Sequence, residues 1–375
     1  MKYRIDKYLL KKTQDLSFIT IKSDADINLK GYKIPEDGID VPILNDELIK
    51  NIKNKSEPLT LAAIARGMIY IIGIDKDFKY NEEYKKFLYS FDEKIEDYIG
   101  YMGIKKSQDK ELTEGLIYFK SLITLNPRNV NALYNYAVIC QDIAKRYEKT
   151  KQTEIIEDYL LEALEKLELI IDIDEEFALA YYQLGYHYHN QKQYLKAKLT
   201  WEEGIKRGLD DDKCSEIKEQ INKIQYKVDY EEGYNLVLQG QPEKGLEKLL
   251  PLVQDYSDWW NLLFFIGLAY RQLGNINEAM EYFEKILILN PNQGDTVAEI
   301  ALCNGILGNY EKSIENYKKA IDIIGEDPEL LCNLGMTYLQ TRDLEKASEY
   351  INKAYDINPN DEITVACLNE LRKYN

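Results

Sequence analysis

Trp260–Gln293 reads WNLLFFIGLAYRQLGNINEAMEYFEKILILNPNQ. Leu263, Ile266, Leu268 and Tyr270 recur at helical spacing and predict a first amphipathic helix. Gly274-Asn275 interrupts it. A second helix follows, with Ala279, Phe283 and Ile286 on one face. It stops at Asn290-Pro291, because proline has no backbone N–H to donate and clashes with the preceding turn. Gly267 and Ala279 are small where the paired helices must come close. The pattern returns at a step of 34 residues, with Gly233, Gly267, Ala301 and Gly335 one step apart. A period of that size means stacked helix pairs, each burying its apolar face on its neighbours.

Outward from this stretch the register continues in both directions. The unit 328–361 carries Leu331, Leu334-Gly335, Tyr338, Ala347, Ile351, Ala354 and Pro359. The unit from Gly294 has Ile300-Ala301, Asn304, Ser313, Tyr317 and Ala320, with Gly325 in place of the closing proline. Upstream, units begin at Tyr226 (Gly233, Gly245, Leu249), Ala178 (Leu184-Gly185, Tyr188, Ala197, Trp201), Val130 (Leu133, Tyr136-Ala137) and Glu96 (Met102-Gly103, Gly115, Phe119, Pro127). The pattern of a large residue, Leu-Gly, Tyr, Ala, Phe, Ala and Pro at fixed offsets resembles the tetratricopeptide repeat family. That resemblance covers seven units, about three quarters of the chain. It implies an all-α, right-handed α-solenoid of helix-turn-helix repeats. Two stretches of about fourteen residues are extra, around Lys149–Glu162 and Asp212–Gln225. Their Lys, Glu and Ile spacing predicts helix extensions of about four turns. Such extensions present either a solvated face or an added wall for a partner or for self-association.

The first 95 residues are less repeat-like. Leu16–Ile21 (LSFITI) and Ile27–Ile34 (INLKGYKI) read as two short strands around a Lys30-Gly31 turn, a small β-hairpin or an arm packed on the first repeats. Asp37-Gly38 and Pro42 read as breaks. Helices are predicted from Asn45, from Leu59 after Ser56 and Pro58, and from Asn81. The apolar run Leu59–Ile74, interrupted by Arg66, reads as a buried helix, since it is too short to span a bilayer comfortably. The expected organisation is an N-terminal segment 1–57, a helical cap or degenerate repeat 58–95, seven repeats over 96–361 and a capping helix 362–375.

Net charge is −17, and it is uneven. Residues 1–95 hold 17 Lys/Arg against 16 Asp/Glu, whereas the remainder holds 31 against 49. An acidic array repels phosphate backbones, so nucleic acid and anionic membrane surfaces are poor partners. The opening MKYRIDKYLLKK lacks the apolar core of a signal peptide. The cysteines Cys140, Cys214, Cys303, Cys332 and Cys367 are far apart in sequence and odd in number, without a C-x-x-C pair. Cys140, Cys303, Cys332 and Cys367 lie on apolar helix stretches and read as core fillers, and the usage suits a reducing cytoplasm. Abundant Lys, Ile, Asn, Glu and Tyr is the usage of an AT-rich genome and points to a low-GC, clostridial-type bacterium.

Catalytic signatures are missing. The sequence has no phosphate-binding loop, dinucleotide fingerprint, nucleophile elbow or H-E-x-x-H. His187 and His189, the only histidines, point about 200° apart on a helix and cannot share a metal. No enzyme activity, cofactor or metal is expected.

The resemblance also implies a binding face. In the family the first helix of each pair lines the concave side, through its second, fifth, sixth, ninth and twelfth slots. The fifth and ninth slots give Tyr134 and Val138, Tyr182 and Tyr186, Tyr230 and Tyr234, and Phe264 and Leu268. The second and sixth give Asn131 and Asn135, Leu179 and Gln183, Lys227 and Glu231, Asn261 and Phe265, and Glu329 and Asn333. The twelfth gives Gln141, His189 and Arg271. Amphipathic rings flanked by amides suit a peptide or partner protein, because they bury area at low entropic cost. The carboxylate clamp of the family's chaperone-binding members is not matched, since only Lys227 and Arg271 are basic and they lie in different units. The expected function is a non-catalytic scaffold or adaptor. A peptide-sensing receptor with residues 1–95 as its output module, and an enzyme accessory subunit, are the other readings.

Overall fold

The computed structural model describes residues 3–25, 27, 29, 31–53 and 59–374. Among these the chain is all-α apart from one two-stranded antiparallel sheet. It opens with a short helix α1 (Asp6–Leu9) and a 3₁₀ turn (Leu10–Asp15), followed by β1 (Leu16–Ile21) and β2 (Ile39–Leu44). Next come α2 (Asn45–Lys53), α3 (Leu61–Ile74) and α4 (Asn81–Phe91). Helix pairs follow: α5 (Ile95–Gln108) with α6 (Leu112–Leu125), α7 (Val130–Glu148) with α8 (Thr153–Ile173), and α9 (Ala178–Asn190) with α10 (Tyr194–Lys206). Then come α11 (Asp211–Leu238) with α12 (Pro242–Leu249), α13 (Trp260–Gln272) with α14 (Ile276–Leu289), and α15 (Gly294–Ile306) with α16 (Tyr310–Ile324). The last pair is α17 (Pro328–Gln340) with α18 (Leu344–Ile357), followed by α19 (Glu362–Leu371). The chain divides into two compact units, 1–218 and 219–375, the division falling inside α11.

The pairing logic is visible in one recurring contact. A Cβ added at Gly103, Gly185, Gly233, Gly267 or Gly335 would collide with Phe119, Trp201, Leu249, Phe283 or Ile351, respectively. Each large side chain stands sixteen residues after its glycine and fills the gap left by the missing Cβ. At Gly185 the added carbon would lie 2.2 Å from the Trp201 ring. That ring is fully buried, and its N–H donates to the Tyr182 carbonyl at 3.2 Å. Gly185→Ala is therefore expected to displace Trp201 and cost about 1–3 kcal/mol, read by denaturant unfolding followed through Trp201 fluorescence in a Trp259→Phe, Trp260→Phe background.

The strand pairing differs from the sequence expectation. β1 forms as predicted, but its partner is β2, with Phe18 opposite Pro42 and Leu16 opposite Leu44. Of the second predicted strand, Asn28 and Lys30 lie outside the described residues, and its described members join no ladder. Pro42, expected as a break, lies inside β2 although proline cannot donate to a ladder. A two-stranded sheet has only outer edges, however, so a strand can carry proline on its unpaired side. Ser56 and Pro58 also lie outside the described residues; α3 starts at Leu61 and is capped by Thr60, whose side chain accepts from Ala63 N–H. α3 is buried nearly all round, and its glycines explain how. A Cβ on Gly67 would fall 2.0 Å from the Pro42 carbonyl oxygen, and one on Gly73 would fall 2.2 Å from that of Ile117. α3 is thus wedged backbone to backbone between β2 and α6.

α7 and α8 run to 19 and 21 residues, against 13 each for α9 and α10. The extra turns of α8 have a use inside the chain: they hold the N-terminal arm. Lys7 pairs with Glu154 at 3.0 Å and Asp158 at 2.8 Å, and Tyr8 donates to Asp158 at 2.7 Å. The Tyr8 ring stacks on Tyr159, and Arg4 pairs with Glu165 at 2.7 Å. Beneath these exposed pairs lies a buried charge cluster. Glu162 is fully buried and meets Lys166 at 2.9 Å, the Arg4 backbone N–H at 2.7 Å and the Tyr136 hydroxyl at 3.3 Å. Buried Lys120 pairs with Asp6 and donates to the Ile74 carbonyl at 3.3 Å. The Tyr3 ring sits between the two ammonium groups, 4.8 Å from Lys120 Nζ and 4.6 Å from Lys166 Nζ.

Candidate partner-binding groove

In unit 1–218 the first helices of successive pairs bring six of the predicted residues to one face. Asn131, Tyr134 and Asn135 lie on α7; Tyr182, Tyr186 and His189 lie on α9. Tyr134 packs on Phe177 with ring centres 5.6 Å apart, and its hydroxyl accepts from the Gln183 amide at 3.4 Å. Asn135 donates to the Asn131 carbonyl at 2.8 Å, so that amide is partly engaged within its own helix. Tyr182 and Tyr186 meet edge to face at 5.2 Å, and Tyr186 rests edge-on against Trp201 at 5.0 Å. His189 lies against Trp201 at 5.9 Å and Tyr194 at 5.7 Å.

The sequence reading missed the group that fixes these rings. Glu216, in the first part of α11, accepts a hydrogen bond from Tyr182 at 3.0 Å and another from Tyr186. Lys213, one turn earlier, lies 6.0 Å from the Tyr182 ring centre. Both residues belong to the second extra stretch, which therefore stands beside the groove. Between α7 and α9 a cavity of about 560 Å³ is lined by Gln141, Lys145, Tyr182, Gln183, Tyr186 and His187 among others. Burial, with Lys196 adding to it, pushes the His187 pKa down, favouring a neutral ring that can donate at one nitrogen and accept at the other.

Burial and then the Glu216 carboxylate push the Tyr182 hydroxyl up to about 12, and the same causes raise Tyr186 further. Because the folded pKa lies above the ordinary tyrosine value of 10.0, the protonated phenols support this arrangement fully below pH 10 and lose it as pH rises through the folded values. Ultraviolet titration is expected to show these two phenols ionising late, and Glu216→Gln is expected to bring them part of the way back. An unchanged titration in that variant would contradict the assignment.

In unit 219–375 a second aromatic cluster forms. Tyr230 meets Trp259 at 4.3 Å and Tyr234 at 5.2 Å, and Tyr234 stacks on Phe265 at 5.1 Å. The ring that extends this ladder is thus Phe265. Phe264 instead turns toward Phe283 at 5.9 Å. Leu268 is buried in the core and offers nothing to a groove. Asn261 is half-buried at the start of α13. Arg271 is held by Glu299 at 2.7 Å, a pair linking α13 to α15; burial raises the Glu299 pKa while Arg271 opposes it. Asn333 lies apart from the rings, lining a cavity of about 250 Å³ with Tyr317, Met336 and Thr337. Among the described residues, no group of three or more His, Cys, Asp or Glu could hold a metal ion, and no helix is long and apolar enough to cross a membrane.

An array of helix pairs defines a helical repeat protein. Tetratricopeptide repeat models match residues 260–293 and 295–360. Photosystem I assembly protein Ycf3 of Prochlorococcus marinus subsp. pastoris is 30% identical over 124 residues, covering 30% of this chain and 71% of that protein. The chain belongs to the tetratricopeptide repeat family. BBSome complex member BBS4 of Xenopus tropicalis is 32% identical over 95 residues, 25% of this chain but only 18% of that protein. Among solved structures, YrrB, described as a TPR protein with an unusual peptide-binding site, shows 17% identity and a TM-score of 0.28, covering 67% of this chain and 97% of its own. The Cut9–Hcn1 hetero-tetramer of the APC/C shows 14% identity and a TM-score of 0.42, covering 87% of this chain and 69% of its own.

Proposed function

We propose that the protein is a non-catalytic scaffold or adaptor that takes an extended segment of a partner protein along the α7–α9 groove. The observation that carries this reading is the Glu216 carboxylate holding two neighbouring tyrosine hydroxyls beside a cavity of about 560 Å³. Rings fixed in this way lose little freedom on binding, which is what makes tyrosine an effective anchor. Gln141 and Gln183 supply the donors and acceptors that a peptide backbone needs. Two relatives carry names of an assembly factor and a complex member, and a holding role fits both. The receptor reading is weaker, because the N-terminal arm is tied into α6 and α8 by buried contacts rather than set apart as an output module. Affinity capture from the native cell extract, comparing the wild type with Tyr182→Ala/Tyr186→Ala, tests the proposal. A protein retained by the first and lost from the second supports it; equal retention contradicts it.

A further inference from the structure

The fold gives one cysteine pair a meaning that sequence spacing hid. Cys332 lies on α17 and Cys367 on α19, and both belong to one core cluster. The Cys332 thiol donates to the Thr364 hydroxyl at 3.6 Å. Thr364 and Cys367 stand one turn apart on α19, both buried on the face that packs into the same core cluster as Cys332. The Thr364 hydroxyl in turn donates to Asp361 at 2.8 Å, and Asp361 caps α19 at its N-terminus. A chain of thiol, hydroxyl and carboxylate thus leads from buried Cys332 to the α19 cap.

We infer that Cys332 and Cys367 form a reversible disulfide that staples α19 to α17 under peroxide, with Cys332 as the attacking sulfur and Cys367 as the resolving one. The neighbouring Cys367 thiol lowers the Cys332 pKa against the opposing effect of burial, and the Cys367 pKa is pushed up. Thiolate character decides which sulfur reacts first. Cys140 and Cys303 sit in surroundings of the other kind, where burial raises both, Cys303 to about 11. Access comes through α19 itself. Only Thr364, Cys367 and Leu371 are buried along it, so its local opening costs far less than unfolding unit 219–375.

Cys332 gives its proton up through Thr364 toward Asp361 and solvent. Its thiolate attacks one oxygen of hydrogen peroxide, the O–O bond breaks, and a sulfenic acid forms as hydroxide leaves and takes up a proton. Cys367 then loses its proton and attacks the Cys332 sulfur, the S–S bond forms, the S–O bond breaks, and water leaves. The two sulfurs give up two electrons, and one peroxide becomes two waters. A dithiol reductant reverses the bond by exchange.

The test uses the full chain, reduced and then exposed to stoichiometric hydrogen peroxide while folded. Thiol counting after denaturation and non-reducing peptide mass spectrometry read the outcome. Of the five cysteines, two should disappear as free thiols and reappear in one Cys332–Cys367 linked peptide, restored by dithiothreitol. Cys367→Ser should give no link but a sulfenic acid at Cys332, trapped by dimedone; Cys332→Ser should leave Cys367 unmodified. Five persistent thiols in the folded protein, while the unfolded chain oxidises, would overturn the inference. So would a link that runs through Cys214. The test is independent of the groove reading, which involves the other unit.

Discussion

Glu162→Ala is expected to destabilise unit 1–218 by about 3–5 kcal/mol. The carboxylate is fully buried and serves three partners: Lys166, the Tyr136 hydroxyl and the Arg4 backbone N–H. Removing it leaves a buried ammonium without its counter-charge. It also leaves a backbone donor unpaired, and the desolvation cost of each is no longer offset. The loss should spread to the N-terminal arm, because Tyr3 sits on the same Lys166 and on Lys120. Hydrogen exchange across residues 3–9 and α6 to α8 is the direct readout. A paired control separates charge from packing. Glu162→Met with Lys166→Met removes both charges together and should recover part of the loss, since replacing a buried pair by apolar side chains is far milder than breaking it. A loss below about 1 kcal/mol for Glu162→Ala would mean that water or rearrangement satisfies the cluster.

The second large effect is on binding. Tyr182→Ala with Tyr186→Ala is expected to weaken capture of the partner segment by 100-fold or more, about 3 kcal/mol, as fixed aromatic anchors near the centre of an interface do when truncated. Tyr186 also covers Trp201, so the double variant must be checked for unchanged helicity. Tyr182→Phe with Tyr186→Phe keeps both rings and removes both hydrogen bonds to Glu216. If the carboxylate's role is to fix the rings, this milder variant should lie between the wild type and the alanine pair. Affinities measured on the isolated segment by calorimetry decide it.

These effects were unequally legible in the sequence. The repeat phase was clear because the physics is local and repeated. A glycine followed sixteen residues later by Phe, Trp, Leu or Ile writes the same helix–helix contact into Gly103, Gly185, Gly233, Gly267 and Gly335. The clustering of Tyr134, Tyr182 and Tyr186 followed from that phase. Glu216 did not, because an acidic residue in an extra charged stretch looks like a solvated face until α11 is placed beside α9. The same blindness hid the arm. Glu162 fell in a charged stretch that reads equally as a solvated face, although Lys120 is the one charged residue in Leu116–Leu125 and that interruption was the available signal. β2 was passed over because Pro42 is a turn residue by habit, and only the pairing partner shows that an outer strand can carry it. Cys332 and Cys367 were treated singly because sequence distance gives no hint that α19 folds back onto α17.

On the proposed function, a partner segment lies between α7 and α9 against Tyr182 and Tyr186. The most direct test is site-specific photocrosslinking, with benzoylphenylalanine placed at Gln183 in the groove or at Leu199, exposed on α10. Irradiation in the native cell extract and mass spectrometry of the adducts locate the contact. Adducts at Gln183 should map to one continuous segment of one partner, disappear in Tyr182→Ala/Tyr186→Ala, and be absent at Leu199. Equal labelling at both positions, or adducts at Gln183 that survive the double substitution, would contradict it.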